Sequence, residues 1–239
     1  TAMLPPDGRV ILISGANRGI GRAIAELLQA QGYSLSLGGR DLNALKTMSA
    51  GWEPSRLHIA RYDAADWESH RAWVDAAAAR FGRIDGLVNN AGMHSAMTLR
   101  APDEAALDAI WAANCKGPLN LIHCVLPHLE ACGAGRIVNV ASLSGKRVRN
   151  DHVAYNMTKH AMMALNHAAR RIAWDKGVRA TALCPSFVRT DMTAASTALP
   201  PEAMTQPADL AALVATVLAL PNNATVAELL VNCRLEDTL

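Results

Sequence analysis

An α/β fold is predicted for this chain, built on one doubly wound parallel sheet of about seven strands with helices on both faces. Short apolar runs, typical of strands buried on both faces, alternate along the chain with longer stretches whose apolar residues recur at helical spacing. No internal repeat or linker interrupts this alternation. With 239 residues and 51% hydrophobic side chains, the chain can bury the core of one large domain covering residues 1–239.

The first strand leads directly into a glycine-rich turn. The apolar run 9–13 is followed by the segment 14–21, Ser-Gly-Ala-Asn-Arg-Gly-Ile-Gly, and a helical pattern then continues to Gly32. The backbone N–H groups of such a turn, together with the N-terminus of the helix, can hold a pyrophosphate. The spacing G-x-x-x-G-x-G after a strand favours a dinucleotide site over a structural turn. The predicted cofactor contacts in this turn are Gly15, Asn17, Arg18, Gly19, Ile20 and Gly21.

The end of the second predicted strand indicates which dinucleotide is bound. The run 35–37 ends in Gly38-Gly39-Arg40, without the acidic residue that takes the adenine ribose hydroxyls of NAD. The guanidinium of Arg40, with Arg18 as a second clamp, suits the 2′-phosphate of NADP. NADP is therefore predicted, with NAD as the less favoured cofactor.

The remaining elements continue the alternation. Asp66 is the predicted N-cap of a helix that ends at Gly82. The polar stretch 191–206 is predicted to be a mobile loop at the substrate site. The other predicted strands cover 57–60, 84–88, 136–140, 178–183 and 225–231, and the other helices 41–48, 103–114, 117–131, 152–176 and 207–219.

A tyrosine and a lysine four residues apart carry the predicted chemistry. Tyr155 and Lys159 lie in a helical stretch, where positions i and i+4 share a face. A lysine beside a phenol favours the phenolate and is expected to lower its pKa by about two, from near 10. Tyr155 would then act as a general acid near neutral pH.

With these residues in place, nearly the whole chain resembles the short-chain dehydrogenase/reductase family, in its short single-domain branch. The resemblance implies a Rossmann-type fold and rests on motifs that occur in family order and spacing. They are the glycine turn 15–21, Asn89-Asn90-Ala91-Gly92, Asn114, Ser142, Tyr155-x-x-x-Lys159 and the segment at Pro185.

The resemblance implies roles for four catalytic residues. Tyr155 resembles the acid/base that protonates a carbonyl oxygen, and Lys159 the lysine that holds the nicotinamide ribose and depresses the tyrosine pKa. Ser142, 13 residues before Tyr155, resembles the serine that hydrogen-bonds the substrate oxygen. Asn114 is similar to the residue that anchors a water for proton relay.

Further contacts are implied at both ends of the site. Asp63, Asn90 and Thr190 match positions that contact adenine, ribose and carboxamide. His94 either lines the substrate pocket or is a polar loop residue without a role. The remaining predicted cofactor contacts are Ala91, Gly92, Tyr155, Lys159, Pro185 and Val188, and the predicted substrate contacts are His94, Ser142, Ser144 and Tyr155.

Two features depart from the family pattern. Ser186 stands where the family has glycine after Pro185, which puts the geometry of the carboxamide loop in question. The C-terminal segment lacks an Asp-Gly-Gly type ending, so tetramer packing through that edge is less assured.

The basic run Lys146-Arg147-Val148-Arg149 is predicted to be a solvated loop.

Composition restricts the partners and the compartment. A net charge of +2 without long single-sign runs gives no case for nucleic acid or an anionic membrane. Five cysteines without metal-type spacing indicate free thiols and no metal site. Thr1-Ala2 ahead of Met3 is interpreted as a tag remnant, and with no signal peptide the expected location is cytoplasmic.

The leading hypothesis is an NADP-dependent carbonyl reductase or alcohol dehydrogenase acting on a small molecule. One alternative is reduction of 3-oxoacyl carrier proteins, with Arg170 and Arg171 meeting an acidic carrier. Another is a dinucleotide-binding sensor without turnover. The apolar helices 117–131 and 152–176 predict a homodimer or homotetramer.

Overall fold

The computed structural model describes residues 2–196 and 198–236 and contains a parallel sheet of seven strands in the order β3-β2-β1-β4-β5-β6-β7. This confirms the predicted doubly wound α/β fold. The strands are β1 Val10–Ser14, β2 Ser34–Gly39, β3 Leu57–Arg61, β4 Gly86–Asn89, β5 Arg136–Val140, β6 Arg179–Pro185 and β7 Glu228–Val231. The helices are α1 Gly19–Ala30, α2 Leu42–Met48, α3 Trp67–Phe81, α4 Glu104–Trp111, α5 Gly117–Ala131, α6 Val153–Ile172 and α7 Pro207–Ala219.

Alternate residues of the central strand supply the cores on the two faces of the sheet. Ile11 and Ile13 pack in the cluster that includes residues of α1 and α7, whereas Val10 and Leu12 pack with residues of α3, α5 and α6. This follows from the two-residue period of a strand. All five residues of β1 are buried, which is why the run reads as continuously apolar.

The strand order reverses between β1 and β4. The chain proceeds from β1 through β2 to β3 on one side, and from β4 to β7 on the other. In open parallel sheets a crevice opens at such a switch point, beyond the carboxyl ends of the strands. The glycine turn after β1 and the segments after β4, β5 and β6 therefore meet at one edge of the sheet.

Several predicted boundaries differ from the structure. The helices predicted at 103–114 and 117–131 are joined by a π-helix, Ala112–Lys116, whose wider turn an apolar pattern of period 3.6 does not reveal. The helix predicted to reach residue 176 ends at Ile172, and the last strand begins at Glu228 rather than at 225.

The segment after β6 contains short 3-10 turns at Asp191–Thr193 and Pro201–Ala203. A bridge between Val188 and Thr205 joins its two ends. Within the described residues, no helix combines the length and apolar character needed to cross a bilayer.

Candidate active site

A cleft of about 680 Å³ opens at the switch point. Most of the residues predicted for the site line it. They are Gly15, Asn17, Arg18, Gly19, Ile20, Arg40, Asp63, Asn90, Ala91, Gly92, His94, Ser142, Tyr155, Lys159, Pro185, Val188 and Thr190. The predicted residues outside its lining are Gly21, Asn114 and Ser144.

The glycine turn is shaped by close contacts that side chains would prevent. Gly15 and Gly19 have φ angles of 67° and 54°, which favour glycine. A Cβ atom on Gly21 would lie 2.4 Å from the Nδ2 atom of Asn90. That amide donates to the carbonyls of Ser14 and Gly15, both at 3.0 Å. Gly21 therefore lies behind the cleft, where it lets Asn90 fasten the end of β4 to the turn.

Ser14 is a supporting residue that sequence reasoning missed. Its buried Oγ accepts the N–H groups of Asn90 and Ala91, at 3.1 and 3.0 Å. The hydroxyl thus ties the ends of β1 and β4 together at the switch point. A serine that ends an otherwise apolar strand was the available signal, but its partners are more than 70 residues away.

The N-terminus of α1 faces the cleft, and no side chain accepts a hydrogen bond from its free backbone N–H groups. Arg18 is the N-cap residue, no side-chain hydrogen bond caps the helix, and its first turn holds no acidic residue. The free N–H groups and the helix dipole favour an anion at this position.

Two arginines lie along the same side of the cleft. Arg40 is exposed and has no hydrogen bond or ion pair with any described residue. Arg18 lies 3.6 Å from Asp191, and both side chains are largely exposed, so this pair contributes little stability. Both guanidinium groups are therefore available to an anionic ligand.

The segment containing Asp63 is held by a histidine that the sequence did not single out. His70 is fully buried, and its Nε2 lies 2.8 Å from the carbonyl oxygen of Asp63. Its Nδ1 lies 2.9 Å from Nδ2 of Asn120, an amide nitrogen that can only donate. His70 must therefore be protonated at Nε2, and burial lowers its pKa so that it stays neutral.

Ser142, Tyr155 and Lys159 converge from two elements, the segment after β5 and helix α6. Lys159 is buried, its Nζ donates to the carbonyl of Val140 at 3.0 Å, and it lies 5.6 Å from the centroid of the Tyr155 ring. Burial lowers the pKa of Lys159 to about 8.

The predicted lowering of the Tyr155 pKa is wrong for this structure. Burial raises the pKa of the phenol, and a hydrogen bond from Ser142 opposes that effect without cancelling it. The Lys159 ammonium faces the ring and a carbonyl. The expected attraction is therefore smaller than the cost of forming a phenolate away from water.

Ser144 occupies a supporting position rather than the substrate position predicted for it. It is buried outside the cleft lining, and its N–H donates to Oγ of Ser142 at 3.1 Å. Because this bond uses the Ser142 oxygen as an acceptor, the Ser142 hydroxyl proton is left for the Tyr155 phenol or for another oxygen in the cleft.

Asn114 lies in the π-helix and is buried behind the cleft. Its Oδ1 accepts the N–H of Met93, and its Nδ2 donates to the carbonyl of Met93, both at 2.9 Å. Nδ2 also lies 3.1 Å from Oγ1 of Thr158. The side chain therefore fixes the loop after Gly92 against α6, and its predicted role in anchoring a water stays a prediction.

Ser186 adopts an ordinary backbone conformation. Every described residue with a positive φ angle is a glycine, so this position does not require one. Ser186 lines the cleft, and its N–H donates to the carbonyl of Val231 at 2.8 Å. The departure from the family pattern is accommodated without backbone strain.

His94 lines the cleft, which favours the pocket-lining alternative over a loop residue without contacts. Its Nε2 lies 3.0 Å from Nδ1 of His152, and its ring centroid lies 5.0 Å from that of Tyr155. His94 thus stands at the outer end of the site, beside the phenol.

Comparisons with known proteins identify the family of this chain. Residues 9–200 match the family model for short chain dehydrogenases. The chain is 46% identical to agropine synthesis reductase of Rhizobium rhizogenes, over 95% of this chain and 53% of that protein. It therefore spans about half the length of that relative.

Two solved structures are also similar. An alcohol dehydrogenase from the archaeon Thermococcus sibiricus, complexed with 5-hydroxy-NADP, superposes with a TM-score of 0.85 at 28% identity, covering 93% of this chain and 95% of that one. A metagenomic short-chain oxidoreductase in complex with NADP has a TM-score of 0.82 at 29% identity, covering 97% and 100%. Because the family model matches most of the chain and the fold and motifs agree, this protein belongs to the short chain dehydrogenase family.

Proposed function

We propose that the protein is an NADP(H)-dependent oxidoreductase that interconverts a carbonyl group and a secondary alcohol on a small molecule. The observation that carries this proposal is the convergence of Ser142, Tyr155 and Lys159 on the same cleft as the glycine turn. Its family consists of oxidoreductases that act on CH–OH and C=O groups.

The donor set of the cleft fits a phosphorylated dinucleotide. The uncapped N-terminus of α1 would hold the pyrophosphate, and Arg40 with Arg18 would hold the 2′-phosphate. Asp63, Asn90, Lys159 and Thr190 would take the adenine, ribose and carboxamide groups, as the family resemblance implies. The NADP bound in the similar metagenomic oxidoreductase supports this choice of cofactor.

A bound nicotinamide dinucleotide supplies or accepts the hydride. The chain's own residues manage the proton. In reduction, the Tyr155 O–H gives its proton to the carbonyl oxygen while the carbonyl carbon becomes the alcohol carbon. Ser142 directs its hydroxyl at the same oxygen, where negative charge develops.

The protonation states of Tyr155 and Lys159 favour Tyr155 as the proton donor. Burial raises the pKa of Tyr155, so the phenol holds its proton near neutral pH and is ready to act as an acid. Lys159, with a pKa lowered to about 8, remains mostly charged there and attracts the phenolate that forms. The name of the Rhizobium relative, a reductase, agrees with the reductive direction.

The alternatives have less support. Arg170 is half-buried and only Arg171 is exposed, so together they form a small surface for an acidic carrier protein. A sensor without turnover would not need Ser142, Tyr155 and Lys159 at one cleft. The carbonyl–alcohol reaction uses all three.

The test of the proposal is Tyr155→Phe, which keeps the ring and removes the proton donor. With NADPH and a panel of ketones and aldehydes, kcat is expected to fall by at least about 10². NADPH affinity, measured by fluorescence titration, should change little. Lys159→Ala should lower both kcat and affinity, because its ammonium is assigned to the ribose and the phenol.

Tyr33→Phe is the matched control, since Tyr33 is buried in the core away from the cleft. It should leave turnover intact. Unchanged carbonyl reduction by Tyr155→Phe would show that another group donates the proton. Binding of NADPH without turnover of any carbonyl or alcohol would favour the sensor.

A further inference from the structure

The outer end of the cleft carries a pair of histidines that the proposed reaction does not use. His94 comes from the loop after β4, and His152 is the N-cap residue of α6. Their facing nitrogens, Nε2 and Nδ1, are 3.0 Å apart, and their rings meet edge to face at a centroid distance of 4.8 Å. The His94 ring also lies against Tyr155, at 5.0 Å.

This contact fixes how many protons the pair can hold. A hydrogen bond between two imidazole nitrogens needs one N–H and one lone pair. In the neutral pair, each ring also has one outward nitrogen, and one of these carries a lone pair. A single added proton can enter there and leave the inner bond intact. A second would place N–H groups on both facing nitrogens and break that bond.

The pKa of His94 agrees with single protonation. Burial lowers it first, and the neighbouring His152 lowers it further, because two positive charges at this distance repel. A hydrogen bond from a cationic donor is stronger than one from a neutral donor, which favours the singly charged pair. The pair can therefore carry one positive charge but not two.

Few other charges face this pair. Asp151, which is exposed, directly precedes His152, and α6 contributes Tyr155 and Lys159, one and two turns further in. Across the cleft, Asp191 is already near Arg18. The first turn of α6 holds no acidic residue and no side chain caps it, so its positive end adds to the charge of the pair.

We propose that the His94–His152 pair, in its singly protonated state, binds a carboxylate of the substrate, so that the enzyme acts on oxo acids and hydroxy acids. This rests on the proposed carbonyl–alcohol reaction. One positive charge matches a monoanionic carboxylate better than a dianionic phosphate. The neighbouring Tyr155 then meets the carbonyl oxygen while the carboxylate is held at the outer end.

Matched substrates test the proposal. Levulinate and longer oxo acids would be compared with their methyl esters, from about pH 5 to about pH 8, which spans ordinary histidine titration. The ratio of kcat/KM for acid to ester cancels the titration of Tyr155 and Lys159, which act on both. That ratio should be at least about tenfold higher at about pH 5 than at about pH 8, because the acid should have the lower KM when the pair is charged. It should fall as pH rises and the pair loses its proton.

Variants separate the pair from general effects. The double variant His94→Gln/His152→Gln keeps two hydrogen-bonding side chains and cannot carry the charge, so it should flatten the ratio across pH. His128→Gln, on α5 and outside the cleft lining, should leave the ratio as it is. A ratio that does not depend on pH, or that the double variant leaves unchanged, would overturn the proposal, as would preference for a ketone bearing a phosphate ester.

A binding measurement distinguishes this failure from failure of the proposed reaction. A hydroxy acid should raise the midpoint of the His94 proton resonance titration, because a ligand that prefers the charged pair also favours its protonation. Its methyl ester should leave the midpoint in place. If no carbonyl compound is turned over but this shift is seen, the carboxylate site stands and the proposed reaction does not. No shift with any hydroxy acid would refute the carboxylate site.

Discussion

The proton on Tyr155 is retained because its phenolate would form in a buried position. Ser142, held by the N–H of Ser144, and Lys159, held by the carbonyl of Val140, surround the phenol without ionising it. These contacts fix where each group points. In the proposed reaction, the proton is therefore already in place when a carbonyl oxygen arrives.

Arg40 is expected to determine the preference for NADPH over NADH. Since its guanidinium has no partner among the described residues, a charge-assisted contact to the 2′-phosphate should make NADPH bind at least about tenfold tighter than NADH. Arg40→Ala should erase most of that difference, and added salt should reduce it because the side chain is exposed.

Fluorescence titration with both nucleotides measures this difference. Arg22→Ala is the control, since Arg22 lies on α1, pairs with Glu26 and is absent from the cleft lining. Equal affinities of the unmodified protein for NADPH and NADH would remove the case for Arg40 as the phosphate contact.

At the scale of elements, ion pairs join the segment that precedes α6 to β7 and to the residues after it. Arg147 donates to both carboxylate oxygens of the buried Glu236, and Arg149 donates to one of them at 2.8 Å. Lys146 pairs with Glu228 at 2.7 Å. The predicted solvated loop is therefore an ion-paired segment, and it leads directly into the helix that carries Tyr155.

Glu236→Gln should weaken the contacts with Arg147 and Arg149 and lower the free energy of unfolding. Burial opposes ionisation of Glu236, but the hydrogen bonds from Arg149 and Arg147 outweigh it and lower the carboxyl pKa. Its contribution is therefore present above the ordinary glutamate pKa and lost as pH falls through the lower folded value. Because Arg149 is partly exposed, a loss of about 2 kcal/mol at pH 7 is expected, below the range for fully buried pairs.

Urea unfolding at several pH values measures this contribution. The variant should lose less stability on acidification than the unmodified protein does. Glu202→Gln, an exposed carboxylate in the 3-10 turn Pro201–Ala203, should behave like the unmodified protein. Identical stability of the Glu236 variant and the unmodified protein at neutral pH would mean that these ion pairs do not stabilise the fold.

At the scale of the whole molecule, α5 and α6 leave apolar side chains in solvent. Leu119 and Met157 are 49% and 47% exposed. We propose that these helices pair across a two-fold axis, where a single patch is buried twice. Light scattering should give a mass of at least twice 25.4 kDa, and Met157→Asp should lower it. Leu99→Asp, at an exposed position in the loop before α4, should not, and a monomeric unmodified protein would contradict the proposal.

Local signals in the sequence predicted the sheet, the glycine turn and the two ends of α3. Asp66 does cap α3, by accepting from the N–H groups of Glu68 and Ser69, and Gly82 ends it with a φ angle of 75°. These features depend on neighbours along the chain. The contacts of Ser14, His70 and Glu236 join residues distant in sequence, so no local pattern announces them. The pKa of Tyr155 depended likewise on burial, which spacing alone does not give.

The central place of β1 has a consequence for synthesis on the ribosome. Ile11 pairs in register with Leu35 of β2 and with Gly86 of β4. At about 5–20 residues per second, β4 emerges several seconds after β2. Until then, one side of β1 presents unpaired N–H and C=O groups on an apolar strand, which recruits strands from other chains. Nascent chains that stall between β3 and β4 therefore carry an aggregation-prone edge that the finished protein has closed.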